Sequence, residues 1–213
     1  MTPKENACKL QADHVIKEMA KRNFDACYCA TGEEAFKKAL SIMEKGSTVA
    51  AGGSASVTEI GLLDYVKSHP EEYTFIDRKL AKTPQEAREI HAKTAMCDYY
   101  LMSANAFTAD GMLVNIDGNG NRVSSLCFGP AHVLVILSMN KMAPDEKSAY
   151  ERIRQYACPP NCIRLGLKTP CAATGFCGDC KSLDSICSLF VTTRFSRYPD
   201  RIKVILVGEP LGF

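Results

Sequence analysis

The 213-residue sequence predicts an α/β fold: a single domain with a mostly parallel sheet and flanking helices. Two observations carry that prediction. Short apolar runs of strand length alternate with longer segments of helical periodicity, and helix-start signals open several of those segments. A third observation marks a departure: residues 158–187 hold six of the chain's 11 cysteines and few large apolar groups.

In chain order, Ala7–Arg22 places Cys8, Ala12, Val15, Ile16 and Met19 at helical spacing. Thr31-Gly32-Glu33-Glu34 is a capping box opening a helix that carries Ala35, Phe36, Ala39, Leu40 and Met43. Ser47–Ala51 reads as a short strand ending in Gly52-Gly53, and a helix is expected over Val57–Lys67. Tyr73–Ile76 is a strand; Thr83-Pro84-Gln85-Glu86 caps a helix through Ala95, with proline in its first turn. Tyr99–Ser103 is a strand. Gly111–Ile116 reads as a hairpin strand, with Asp117-Gly118-Asn119-Gly120 as its turn. His132–Met139 is a buried strand, Asp145–Tyr156 a helix, and Lys203–Val207 a last strand.

Composition narrows the function classes. Hydrophobic residues make up 46% and charged residues 23%, an ordinary globular balance that excludes disorder and coiled coil. A net charge of +2 supplies no field for nucleic acid. The longest apolar run, Val133–Leu137, is far short of the ~20 residues of a membrane helix, so no membrane partner is expected. The opening MTPKENACKLQADH lacks an apolar signal core, which points to the cytoplasm. In that compartment clustered cysteines are expected to be metal ligands rather than disulfides.

The cluster reads TPCAATGFCGDCKSLDSIC, with Cys171, Cys177, Cys180 and Cys187 spaced C-x5-C-x2-C-x6-C. Two residues between Cys177 and Cys180 let both sulfurs turn onto one centre, and Gly175 and Gly178 supply permissive backbone. Four thiolates carry about four negative charges, which a metal centre offsets. Zinc ribbons use two C-x2-C pairs; a single pair with longer flanks is closer to ferredoxin-type loops. An iron–sulfur cluster, [4Fe–4S], is therefore favoured, with four-cysteine zinc as the alternative. Free thiols or redox disulfides would require this density to be accidental. Cys158-Pro159-Pro160-Asn161-Cys162 just upstream adds ligands, a redox pair or bystanders. Cys8, Cys27, Cys29, Cys97 and Cys127 read as small buried hydrophobes.

Two polar loops complete the candidate site. Gly52-Gly53-Ser54-Ala55-Ser56 follows a strand and opens a helix, an anion-binding arrangement. It is neither G-x-G-x-x-G nor a Walker loop. Ser56–Glu59 reads as a capping box, with Glu59 also a candidate functional carboxylate. The second loop holds Asp110, Asn115 and Asp117. At the carboxyl edge of the sheet its carboxylates would face the glycine loop, with Gly129-Pro130 as a third wall. Asp110 is preferred as the catalytic carboxylate, because a turn already explains Asp117-Gly118.

These segments resemble the lactate-utilisation protein family, the LUD domain. The pieces that carry the resemblance are GGSASVTEIGL, SANAFTADGMLVNIDGNGNRV, FGPAHVLVILSMNKM, RIRQYACPPNCIRL, TPCAATGFCGDC and RIKVILVGEPLGF, over residues 50–213. The similarity is to short, stand-alone members with a cysteine-rich tail. It implies the ribose-5-phosphate isomerase and CoA-transferase-like fold. It makes Gly52, Gly53, Ser54 and Ser56 a phosphate- or CoA-binding loop, and the segment of Asp110 and Asp117 the catalytic aspartate loop. The family takes its name from operons that oxidise L-lactate to pyruvate with iron–sulfur partner subunits. Cys158 and Cys162 depart from its pattern. The favoured function is an iron–sulfur component of lactate or small organic acid oxidation. Its partners would be a small anionic metabolite, a redox protein and, in a homo-oligomer, further copies of the chain. The alternatives are an isomerase or acyl-transfer enzyme using Glu59 or Asp110 as base on a phosphorylated or CoA-linked substrate, and a metabolite-binding regulator.

Overall fold

A computed structural model describes residues 2–213. The strands are β1 Phe24–Cys29, β2 Thr48–Ala51, β3 Thr74–Ile76, β4 Tyr99–Met102, β5 Ala106–Thr108, β6 Leu113–Asp117, β7 His132–Ser138, β8 Met142–Ala143, β9 Leu189–Thr193 and β10 Ile202–Val207. The α-helices are α1 Pro3–Ala20, α2 Gly32–Ile42, α3 Ala55–Glu59, α4 Leu62–Ser68, α5 Pro84–Ala95, α6 Asn121–Cys127, α7 Glu146–Arg152, α8 Cys158–Arg164 and α9 Pro170–Thr174. Among the described residues no helix is long and apolar enough to cross a membrane.

Six strands form one parallel sheet in the order β1-β10-β7-β4-β2-β3. Its central strand β7 is apolar almost throughout because both faces are covered. Alternation divides its side chains. Val133, Val135 and Leu137 join Ala12, Val15 and Met19 of α1 in one core. Leu134 and Ile136 join Ala35, Ala39, Leu62 and Val66 of α2 and α4 in the other. The α/β reading therefore holds. Thr31 and Thr83 cap α2 and α5 as expected, accepting from the amides of Glu34 and Glu86.

A second sheet, β8-β5-β6-β9, stands beside the first, with β6 antiparallel to both β5 and β9. The hairpin is real but its turn is elsewhere. Gly111, at φ +87°, turns β5 into β6. Asp117–Gly120 instead starts α6, because Asp117 Oδ1 accepts from the amides of Asn119 and Gly120 at 3.1 and 2.8 Å. The helix expected over 57–67 is broken in two at Gly61, which sits at φ +79°. The helix expected over 145–156 runs through a π turn at Ile153–Ala157 directly into α8. Pro159 and Pro160 lack N–H donors there, and the amide of Cys158 reaches back five residues to Ile153. Residues 158–187 are tied into the domain. They continue a helix, pack Cys158, Ile186 and Cys187 into a third core, and feed β9 back onto β6.

Candidate functional site

The carboxyl ends of β2, β3, β4 and β7 open onto a crevice of about 210 Å³. In parallel α/β sheets ligands collect at that edge. Its walls include Gly53 and Ser54 after β2, Arg78 after β3, Ser103 after β4, Lys141 after β7 and Asp117 at the end of β6. Of the predicted residues, Gly53, Ser54 and Asp117 come together here.

Others lie elsewhere, each for a local reason. Asp110 is in the β5–β6 turn, where its carboxylate pairs with Arg22 at 2.5 Å and accepts from the Thr108 hydroxyl. It does not line the crevice, whereas Asp117 does. Gly129 precedes β7, and a parallel strand carries the chain away from whatever precedes it. It sits at the amino edge, against Ala95 of α5. Glu59 is exposed and accepts from the amide of Gly212 at 2.7 Å, fastening the end of the chain. The cap of α3 is Ser54, which accepts from the amide of Val57, so Ser56–Glu59 is not the capping box. The amide of Gly52 is already donated to Leu101, and its missing Cβ makes room for Tyr100 and Arg122. Asn115 is buried away from the crevice, its carbonyl accepting from Arg122 and its amide nitrogen unpartnered.

The positive character of the crevice therefore comes from side chains rather than from a long helix. Arg122 is the best embedded. It donates to Ser103 O, Asn105 Oδ1, Asn115 Oδ1 and Ile116 O, and its Nε lies 3.4 Å from Asp117. Burial disfavours its charge and Asp117 opposes that effect. Lys141, 4% exposed, donates from Nζ to Ser56 Oγ at 2.9 Å and Ser103 Oγ at 3.1 Å. Burial first, then Arg152 and Arg122, push its ammonium down to about 8, against the pull of Glu59. Sequence reasoning missed both residues. The available signal for Lys141 was a lone lysine at the carboxyl end of the most apolar strand.

The six late cysteines surround a second cavity of about 170 Å³. Cys158 and Cys162 are four apart on α8 and face inward together, 4% and 1% exposed. Cys171 is buried on α9 beside Thr169. Cys177, Cys180 and Cys187 enter from the loop behind it, and the Sγ atoms of Cys187 and Cys158 are 3.5 Å apart. The Cys158 thiol and nearby Arg154 bring the Cys187 thiol down to about 7, whereas Cys158 is pushed far up by its contact with Cys187 and by burial. Arg154 also meets Cys177, so a guanidinium faces the thiols. Among the described residues no three Cys, His, Asp or Glu side chains stand in range of a single ion. The donor set still fits a thiolate-bound centre in chemistry: six sulfurs line one chamber together with the cations Arg154 and Lys181 and one carboxylate, Asp179. Cys158 and Ile186 line both this chamber and the crevice, so the two share a wall.

The LUD-domain profile matches residues 12–207. The chain belongs to the LUD-domain family. A structure described as a DUF162 family protein from Deinococcus radiodurans has the same fold, with a TM-score of 0.50 at 12% identity, covering 96% of this chain and 98% of that one. Partial likenesses are to eIF2B delta from Chaetomium thermophilum, with a TM-score of 0.38 at 13% identity over 63% and 53% of the two chains, and to ribose 5-phosphate isomerase from Plasmodium falciparum, with 0.34 at 14% over 52% and 51%. No curated protein matches at significance. The LUD chain thus combines a cationic crevice with a thiol-lined chamber behind it.

Proposed function

We propose that this LUD protein is an iron–sulfur component of lactate or related small organic acid oxidation. The observation that supports it is the shared wall at Cys158 and Ile186, which sets a chamber of six thiols against a crevice suited to a carboxylate. Cys171, Cys177, Cys180 and Cys187 would hold the cluster, a [4Fe–4S] centre, with Cys158 and Cys162 within the same chamber. A bound cluster supplies one-electron transfer, and a redox partner protein passes the electrons on. The chain's own residues do the rest. Arg154 offsets thiolate charge, the α7–α8 helix holds Cys158 and Cys162 rigid, and Arg78, Arg122 and Lys141 draw the acid into the crevice. The acid–base alternative is weakened, because neither Glu59 nor Asp110 lines the crevice.

The test is anaerobic purification with iron, sulfide and zinc analysis and a visible spectrum. The expected result is a brown protein with about four irons and four sulfides per chain. Cys177→Ser should lose them while Cys97→Ser, distant in the sheet core, keeps them. Zinc in the wild type, or full iron in Cys177→Ser, overturns the assignment.

A further inference from the structure

We propose that Lys141 is the anchor for the ligand's anionic head, its ammonium pairing an acid oxygen inside the crevice while Ser56 and Ser103 hold it in position. This rests on the reading of the crevice as an acid-binding site and names the residue and ligand chemistry that would define it. The side chain is almost wholly buried, yet its two partners are neutral hydroxyls. Among the described residues no carboxylate lies within ion-pair distance of its Nζ. Asp117 is taken by Arg122 and by the start of α6, and Glu59 by the amide of Gly212. A protonated lysine has three donors, and the two hydroxyls use two. A buried ammonium without a counter-ion is costly, and an anion arriving in the crevice supplies one.

The surroundings select the sign of that ligand. Arg152 from α7 and Arg122 from α6 both act on Lys141 as like charges. Glu59 from α3 acts the other way from the far side of Gly212. Arg78 and Arg164 line the same crevice, and Asp117 is its one acidic side chain. A small anion, carboxylate or phosphate, satisfies this field, and a cation does not. Closeness of fit adds to the case. A Cβ on Gly212 would come within 2.8 Å of Ser56 Oγ and 3.0 Å of Lys141 Nζ, so the backbone packs closely on the lysine, and Phe213 beside it lines the crevice. Lys141 itself lines the crevice, so its third donor is available to a ligand there.

Two measurements on the intact chain test this. The first is calorimetric titration with sodium pyruvate, L-lactate and inorganic phosphate, comparing wild type with Lys141→Met and Lys141→Arg. The expected result is that at least one anion binds the wild type. Its affinity should fall about tenfold per pH unit above the lysine's ionisation. Lys141→Met should bind roughly ten- to hundredfold more weakly, without that pH dependence. Equal binding by Lys141→Met overturns the anchor and leaves the acid-binding crevice standing. Phosphate binding alone supports the anchor and overturns the organic acid reading. No binding by the wild type overturns both.

The second measurement does not depend on any variant folding. Acetic anhydride labelling of the wild type, read by peptide mass spectrometry across pH, should show Lys141 gaining reactivity near pH 8. Surface lysines should follow at about 10.4. A bound anion should protect Lys141 alone. Labelling of Lys141 that is indifferent to every one of the three anions overturns the proposal.

Discussion

Replacing Arg122 by methionine should unfold the site and much of the molecule's stability with it. Its guanidinium joins the two sheets. It bonds Ser103 O and Asn105 Oδ1 in the segment leaving β4, and Asn115 Oδ1 and Ile116 O in β6, and it faces Asp117. Methionine fills part of the volume and donates nothing. Four acceptors would lose their donor and a buried carboxylate its counter-charge. Breaking a buried charged network from one side costs about 3–5 kcal/mol. For a chain of this size each kcal/mol moves Tm by about 2–4 °C, so a drop on the order of 10 °C is expected. Thermal unfolding by circular dichroism and by calorimetry measures it, with pyruvate titration on the folded variant alongside. A loss below roughly 3 °C, or binding equal to the wild type, would refute the view that this arginine holds the crevice open.

Asp110→Asn should cost no more than about 1 kcal/mol, because the carboxylate is half exposed and its pair with Arg22 lies at the surface, and it should leave anion binding unchanged; reduced affinity in titration would return Asp110 to the site. Gly111→Ala should cost about 1–3 kcal/mol in chemical denaturation. Its φ is +87°, and a Cβ there would lie 2.9 Å from the backbone nitrogen of Met19, so a neutral effect would contradict the packing of α1 on that turn. Leu134→Ala, at the centre of β7, should cost about 2–5 kcal/mol by the same assay. The ammonium of Lys141 ionises near 8 in the folded chain against about 10.4 unfolded, so the unfolded state binds more protons between those values. Stability of the wild type relative to Lys141→Met should therefore rise with pH from about 8 to 10.4, by up to about 3 kcal/mol, and a falling difference would reverse the assigned sign.

The α/β class, the capped helices at Thr31 and Thr83, the buried strand at 132–138 and the position of the glycine loop after a strand were legible from the residues alone. Each is written in local chemistry: an apolar run, a cap, a proline in a first turn. The sequence also marks residues 158–187 as the chain's thiol-rich segment, because thiol density is visible without coordinates. Which polar residues share a site depends on how the two sheets pack. Asp110 and Asp117 are seven positions apart at the two ends of one short strand, so that strand separates them, and sequence proximity misled. Gly129 failed because a parallel strand puts its preceding and following residues at opposite edges of the sheet, which favoured Lys141 instead. Arg122 and Lys141 were illegible because a lysine or arginine in a mixed segment reads as surface until the packing of two sheets buries it. The edge strands β1 and β9 were missed for a related reason: these partly exposed segments become strand when β10 and β6 offer unpaired backbone edges to complete.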